Sequence, residues 1–181
     1  MLPNDYSDCI QTFTQISYDE EGDKIHMITS NSLAYNFDKV TKKFANKSRP
    51  PKSVDGLIIT DKNAQILIEF KNGEIGKTTK SQIRCKISSS ILTITHITGN
   101  KITEFKNKSK FILVYNKDKN GDIVLGTLIN KDAKNNENKD IDLEYYKDKY
   151  FEKVKLLNVS EFENLLNSAQ KNGWDFAYSE I

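Results

Sequence analysis

The chain has 181 residues, of which 37% are hydrophobic and 29% charged, and its 27 Lys+Arg nearly balance 25 Asp+Glu for a formal net charge of +2. That length suits one domain with a sizeable core, and no apolar run approaches the roughly 18 residues that a membrane span needs. The N-terminus carries neither the basic nor the apolar region of a secretory signal, and Cys9 and Cys85 make no metal-ligand spacing and no disulfide framework, so a reducing cytoplasm is the expected location.

In chain order, Tyr6, Ile10, Phe13 and Ile16 are spaced as on a helix covering about residues 6–18. Leu33, Tyr35 and Phe37 alternate, which suits a strand within the ambiguous stretch 25–45. Arg49-Pro50-Pro51 breaks any regular element. Two strands then stand out, Val54–Thr60 and Gln65–Lys71, joined by the short Asp61–Ala64 connection. Ile83, Ile87, Ile91 and Ile94 form one helical stripe that ends at Gly99-Asn100. Phe111–Tyr115 reads as a buried strand, Asn120-Gly121 as a turn, Ile123–Ile129 as a further strand and residues 130–142 as a polar loop. Val154–Leu157 reads as a short strand. Ser160 with Glu163 fits a capping box that opens a helix to about Gln170. Trp174, Phe176 and Tyr178 alternate, as in an edge strand or a docked tail. His96 falls at an apolar helix end and reads as a packed core residue. The order of elements makes the chain mixed α/β, with no internal boundary and hence one domain over residues 1–181.

The near-neutral total conceals segregation. Residues 1–38 carry a net −6, residues 39–110 a net +11 and residues 111–181 a net −3. Clustered bases concentrate phosphate ligands. The candidate backbone contacts are Lys42, Lys43, Lys47, Arg49, Lys52, Lys77, Lys80 and Arg84. Within this basic third, the two clearest strands carry charge where charge is expensive. Glu69 and Lys71 are two apart and share a face, opposite to Ile68 and Phe70. An unpaired charge aimed inward is costly, and Asp55 on the preceding antiparallel strand can approach Glu69 across the hairpin. Two carboxylates drawn together call for a cation, and Mg²⁺ prefers oxygen ligands. Asp55, Glu69 and the backbone carbonyl of Phe70 could hold Mg²⁺ or Mn²⁺, with Lys71 placed to orient a water or to stabilise developing negative charge.

Asp55 followed by Glu69-Phe70-Lys71 on consecutive strands, with a helix next, resembles the PD-(D/E)xK nuclease superfamily. The resemblance implies a restriction-endonuclease-like core of helix, strand, strand, strand, helix, strand over about residues 6–116, with a strand and helix extension over 117–181. It implies metal-dependent hydrolysis of phosphodiester bonds, DNA as partner, Asp55 and Glu69 as metal ligands and Lys71 as catalytic lysine. It also admits a homodimer, although no coiled-coil heptads are present. Val54 stands where the superfamily often has Pro. Many members place an acid on the first helix, for which Asp8, Glu20 and Glu21 are candidates. One branch has Gln-x-x-x-Tyr on the helix after the lysine strand; here Gln82 and Lys86 occupy those positions, one turn apart on a polar face that could support Lys71 or contact phosphate. A second reading is a non-catalytic nucleic-acid- or protein-binding module that retains the fold.

Two other motifs fail on spacing. Gly73–Thr78 lacks the first glycine of a phosphate-binding G-x-x-x-x-G-K-[ST] loop, since position 71 is lysine. A Ca²⁺ loop begun at Asn116 would end on Thr127, where a bidentate Glu is required.

Overall fold

A computed structural model describes residues 2–20, 22–46, 48–121 and 143–181. Six strands form one open mixed sheet in sequence order: β1 (Ile10–Thr12), β2 (Leu33–Asn36), β3 (Gly56–Ile59), β4 (Gln65–Lys71), β5 (Ser109–Tyr115) and β6 (Lys153–Asn158). The first four run antiparallel to their neighbours, whereas β4, β5 and β6 run parallel. The helices are α1 (Phe13–Ile16), α2 (Phe37–Ala45), α3 (Lys77–Thr98), α4 (Ile102–Lys106), α5 (Lys117–Asn120), α6 (Glu144–Tyr150), α7 (Val159–Asn172) and α8 (Trp174–Glu180). The expected mixed α/β class is therefore observed. The predicted strand at 123–129 and loop at 130–142 lie outside the described residues.

Two hydrophobic cores lie on opposite faces of the sheet, as strand alternation requires. On one face, Leu57, Leu67, Phe111 and Leu113 pack against Phe37 and Val40 of α2 and the Ile83, Ile87, Ile91, Ile94 stripe of α3. On the other, Ile58, Ile66, Ile68, Phe70, Ile112 and Val114 pack against Phe13 and Ile16 of α1 and Phe162 and Leu166 of α7. Phe13, Phe70 and Phe162 meet edge to face, with centroids 5.4 to 6.3 Å apart, a favoured aromatic geometry. Gly56 faces Ile16, Ile68 and Phe13, where α1 packs beside β3.

α3 supplies the long crossover that parallel strands β4 and β5 require. Its stripe ends at Gly99, whose φ of +70° is the left-handed conformation glycine adopts without a Cβ penalty. At the far end of the chain, α8 docks through Lys110. That buried ammonium donates to the Tyr178 carbonyl and lies 3.8 Å from the centroid of its ring, while the Tyr178 hydroxyl donates to Glu152 Oε2 at 2.7 Å.

Several elements differ from expectation. The helix anticipated over 6–18 is instead a 3-10 helix (Asn4–Cys9), strand β1 and the four-residue α1, because Thr12 caps a new helix start through Gln15. Phe37 does not end a strand. It opens α2, whose N-terminus is capped by the Asn36 side chain accepting from the Lys39 N–H at 3.0 Å. The last long helix begins two residues earlier than Ser160 implies, since Asn158 caps it and Glu161 completes the box. The Trp174–Tyr178 segment is a docked helix, not an edge strand. His96 is exposed on α3 and its ring meets Phe44 at 5.2 Å, so it is not a core residue.

Candidate functional site

The charged residues singled out in the sequence come together at the carboxyl end of β4, on the face covered by α2 and α3, with Asp55 in the bend just before β3 and not within the strand expected from Val54. The β3–β4 register pairs Gly56 with Ile68, which sets Asp55 across from Glu69. Two backbone contacts hold Asp55 in place and a third anchors the residue before it. The Phe70 N–H donates to Asp55 Oδ2 at 2.6 Å, the Phe37 N–H donates to the Asp55 carbonyl at 2.9 Å, and the Val54 N–H donates to Ser90 Oγ on α3 at 3.0 Å. On β4 the aromatic cluster grips Phe70 from the opposite face, and alternation then commits Glu69 and Lys71 to this one.

Glu69 is fully buried, and two ammonium groups serve it. Lys71 Nζ lies 2.6 Å from Glu69 Oε1. Lys86 Nζ, reaching in from α3, lies 2.8 Å from Glu69 Oε1, 3.0 Å from Glu69 Oε2 and 3.0 Å from Asp55 Oδ1. The two carboxylates thus converge on one cationic point. Burial, reinforced by the negative charge of Asp55, pushes the Glu69 carboxyl up to about 7 against the pull of Lys86 and Lys71. Burial also works against the charged form of Lys86, but the combined attraction of Asp55 and Glu69 outweighs it and holds Lys86 above the ordinary lysine range.

The position of Lys86 revises the sequence reading. Unlike Gln82, one turn earlier and exposed, its head is turned inward. It flanks the isoleucine stripe closely enough for its stem to run inward between α3 and the sheet. A further acid was not anticipated. Asp38, in the first turn of α2, accepts a hydrogen bond from the Ser53 hydroxyl. Packing around it raises its carboxyl first and Asp55 adds to the rise, while Ser53 and Lys86 oppose it. Of the anticipated N-terminal acids, Asp8 is exposed and pairs with Lys43 at 2.8 Å, Glu20 is exposed, and Glu21 lies outside the described residues.

Among the proposed phosphate contacts, Lys42, Arg49, Lys52 and Arg84 are exposed. Lys43 is engaged by Asp8. Lys80 is only 9% exposed, which corrects its assignment as an outward phosphate contact: it falls on the same side of α3 as buried Ile83. Lys47 and the side chain of Lys77 lie outside the described residues.

The carboxyl ends of β4, β5 and β6 bring Asn72, Asn116 and Asn158 to the rim of a cleft of about 480 Å³ that also includes His26 and Lys117. Asn116 Nδ2 donates to Asn72 Oδ1 at 2.9 Å, and Asn72 Nδ2 donates to Asp19 at 2.9 Å and Asp23 at 2.8 Å. Open α/β sheets commonly bind ligands at this end of their parallel strands, and Lys71 is the residue immediately before Asn72.

The donor set suits a hard divalent cation. Mg²⁺ commonly takes one or two carboxylates and completes its shell with carbonyl oxygen and water, and Asp55 and Glu69 already surround a cation at 2.8 to 3.0 Å. No cluster of three or more His, Cys, Asp or Glu suited to a metal occurs among the described residues, so protein ligation would rest on these two carboxylates and the Phe70 carbonyl. Among those residues no helix is long and apolar enough to cross a membrane. Comparison with protein-family models, curated proteins and solved structures finds no match.

Proposed function

We propose that this chain is a metal-dependent nuclease that hydrolyses phosphodiester bonds, with DNA as substrate and a restriction-endonuclease-like core. The observation that carries the reading is the convergence of Asp55 and Glu69 on one cationic point, with Lys71 beside them. The element order supports it: α1, β2, β3, β4, α3 and β5 follow the helix, strand, strand, strand, helix, strand pattern, preceded by β1 and with α2 inserted after β2 and α4 after α3. Asp55, Glu69 and the Phe70 carbonyl would hold Mg²⁺ or Mn²⁺. When bound, such an ion acidifies a coordinated water and offsets charge on the attacked phosphate. Lys71 keeps its ammonium at the Glu69 carboxylate and can donate to a phosphate oxygen as negative charge grows there. Lys42, Arg49, Lys52 and Arg84, exposed on or beside the helical layer that covers the site, would attract the nucleic-acid backbone.

The test is a cleavage panel of linear, circular, single-stranded and branched DNA with Mg²⁺ and with Mn²⁺, run on the parent chain and on Glu69→Ala and Lys71→Ala. Cleavage by the parent and at least a hundredfold loss in both folded variants is expected. Undiminished cleavage by both variants would refute the mechanism.

A second reading, a binding module without catalysis, draws on the pairing of Lys71 and Lys86 with Glu69, which satisfies the site's charge without any added ion. It predicts DNA affinity that falls steeply with salt and no cleavage of any substrate in the panel.

A further inference from the structure

We infer that Lys86 is the resident counter-cation of the Asp55–Glu69 pair, and that a divalent ion binds there only by displacing its ammonium. The inference rests on the metal site of the nuclease reading and assigns Lys86 a role beyond supporting Lys71. Lys71 approaches Glu69 from the same strand, two residues along, whereas Lys86 comes from α3 and spans both carboxylates within 3.0 Å. A small ion coordinated by both carboxylates needs the volume that the Lys86 ammonium fills. An ammonium left in place would face a double positive charge at close range in a site sheltered from water, where repulsion is poorly screened.

The geometry gives Lys86 an exit. Its side chain is 21% exposed although its head is held by buried Glu69 and half-buried Asp55, and Gln82, one turn earlier on α3, is exposed. Rotation about the flexible stem of a lysine moves the head several ångströms with no change in the helix. The released ammonium then sits at the border of the site facing solvent, where an incoming phosphate is a natural partner. Metal binding and phosphate binding would each favour the same displaced position of Lys86, so each would strengthen the other.

Two measurements at one fixed pH test the displacement. In the first, Mn²⁺ is titrated calorimetrically into the parent chain and into Lys86→Gln, with a Asp55→Asn, Glu69→Gln double variant to place the binding. Lys86→Gln is expected to bind Mn²⁺ at least tenfold more tightly than the parent; equal or weaker binding overturns the displacement and leaves the nuclease reading standing. Absence of Mn²⁺ binding to both chains overturns the displacement together with the metal site of that reading. The second needs no variant and decides the matter if Lys86→Gln does not fold. Acylation of lysines in the parent chain is followed residue by residue by mass spectrometry, with and without saturating Mn²⁺. Lys86 is expected to react severalfold faster with Mn²⁺ present, and an unchanged rate overturns the inference.

Discussion

Replacing Glu69 with Gln isolates the balance between burial and charge pairing at the centre of the site. The side chain keeps its shape but no longer titrates. In the parent, the folded-state carboxyl is raised from 4.5 to about 7. Because the folded form then holds a proton that the unfolded form has already released, this group contributes stability that is fully present below pH 4.5 and is lost as pH rises through about 7. At about 1.4 kcal/mol for each tenfold change in proton affinity, the loss amounts to about 3 kcal/mol. Glu69 is fully buried, so solvent screening does not reduce that figure. The difference in unfolding free energy between parent and Glu69→Gln should therefore move by about 3 kcal/mol in favour of the variant between pH 4 and pH 8. Urea unfolding of both chains at half-unit intervals measures it, without added metal, since groups that titrate alike in both chains largely cancel. A difference that does not vary with pH would refute the argument that burial and Asp55 dominate. A difference that moves in favour of the parent would show that Lys71 and Lys86 win.

Two further substitutions probe how the fold presents the site. Ser90→Ala removes the acceptor for the buried Val54 N–H, and an orphaned buried donor costs about 1–3 kcal/mol; urea unfolding should show that loss, and on the proposed nuclease function cleavage should fall with it because Val54 leads into Asp55. Asn72→Ala removes a 5%-exposed hub that joins Asp19, Asp23 and Asn116, with an expected cost of about 1–3 kcal/mol. The Asp19 carboxyl is lowered by Asn72 first and by the Gly22 N–H, and that of Asp23 by Lys119 first and then Asn72. Depressed carboxyls contribute stability above their unfolded pKa that disappears on acidification, so the Asn72→Ala penalty should shrink as pH is lowered below about 4. A penalty that is constant from pH 7 to pH 3 would count against the hub.

The parts of the fold legible in the sequence are those whose signal is local. Strands β4 and β5 lie where their apolar residues put them, and the isoleucine stripe marked α3 even though its β-branched residues favour strands. Asp55, Glu69 and Lys71 were visible as charges on apolar strands, and alternation placed the last two on one face. What was not legible depends on distance in space. Nothing near Lys86 in sequence states that its stem crosses from α3 to β4, so periodicity assigned it to a polar face. Asp38 was hidden for the same reason: its proximity to Asp55 arises only when α2 folds over the sheet. At the start of α7 the sequence was read through Ser160 with Glu163, whereas β6 ends at Asn158 and that residue forms the box with Glu161. Asn36 was a usable cap signal for α2, obscured by the alternation of Leu33, Tyr35 and Phe37.

The net charge of +11 over residues 39–110 also changes meaning once its members are placed. Lys71 and Lys86 are turned inward to the carboxylates of Glu69 and Asp55, Lys110 is buried under α8, and Lys43 meets an acid from the N-terminal third. The inward lysines contribute little to steering a distant phosphate, because Glu69 and Asp55 hold them locally. They are instead what allows two acids to occupy an apolar sheet face. The outward field falls to such groups as Lys42, Arg49, Lys52 and Arg84. These belong to α2, the segment leading into β3, and α3, and both helices pack on the face that bears Glu69 and Lys71. One segment of sequence thus serves two electrostatic tasks that its net charge does not separate, and only the inner one depends on the fold for its sign.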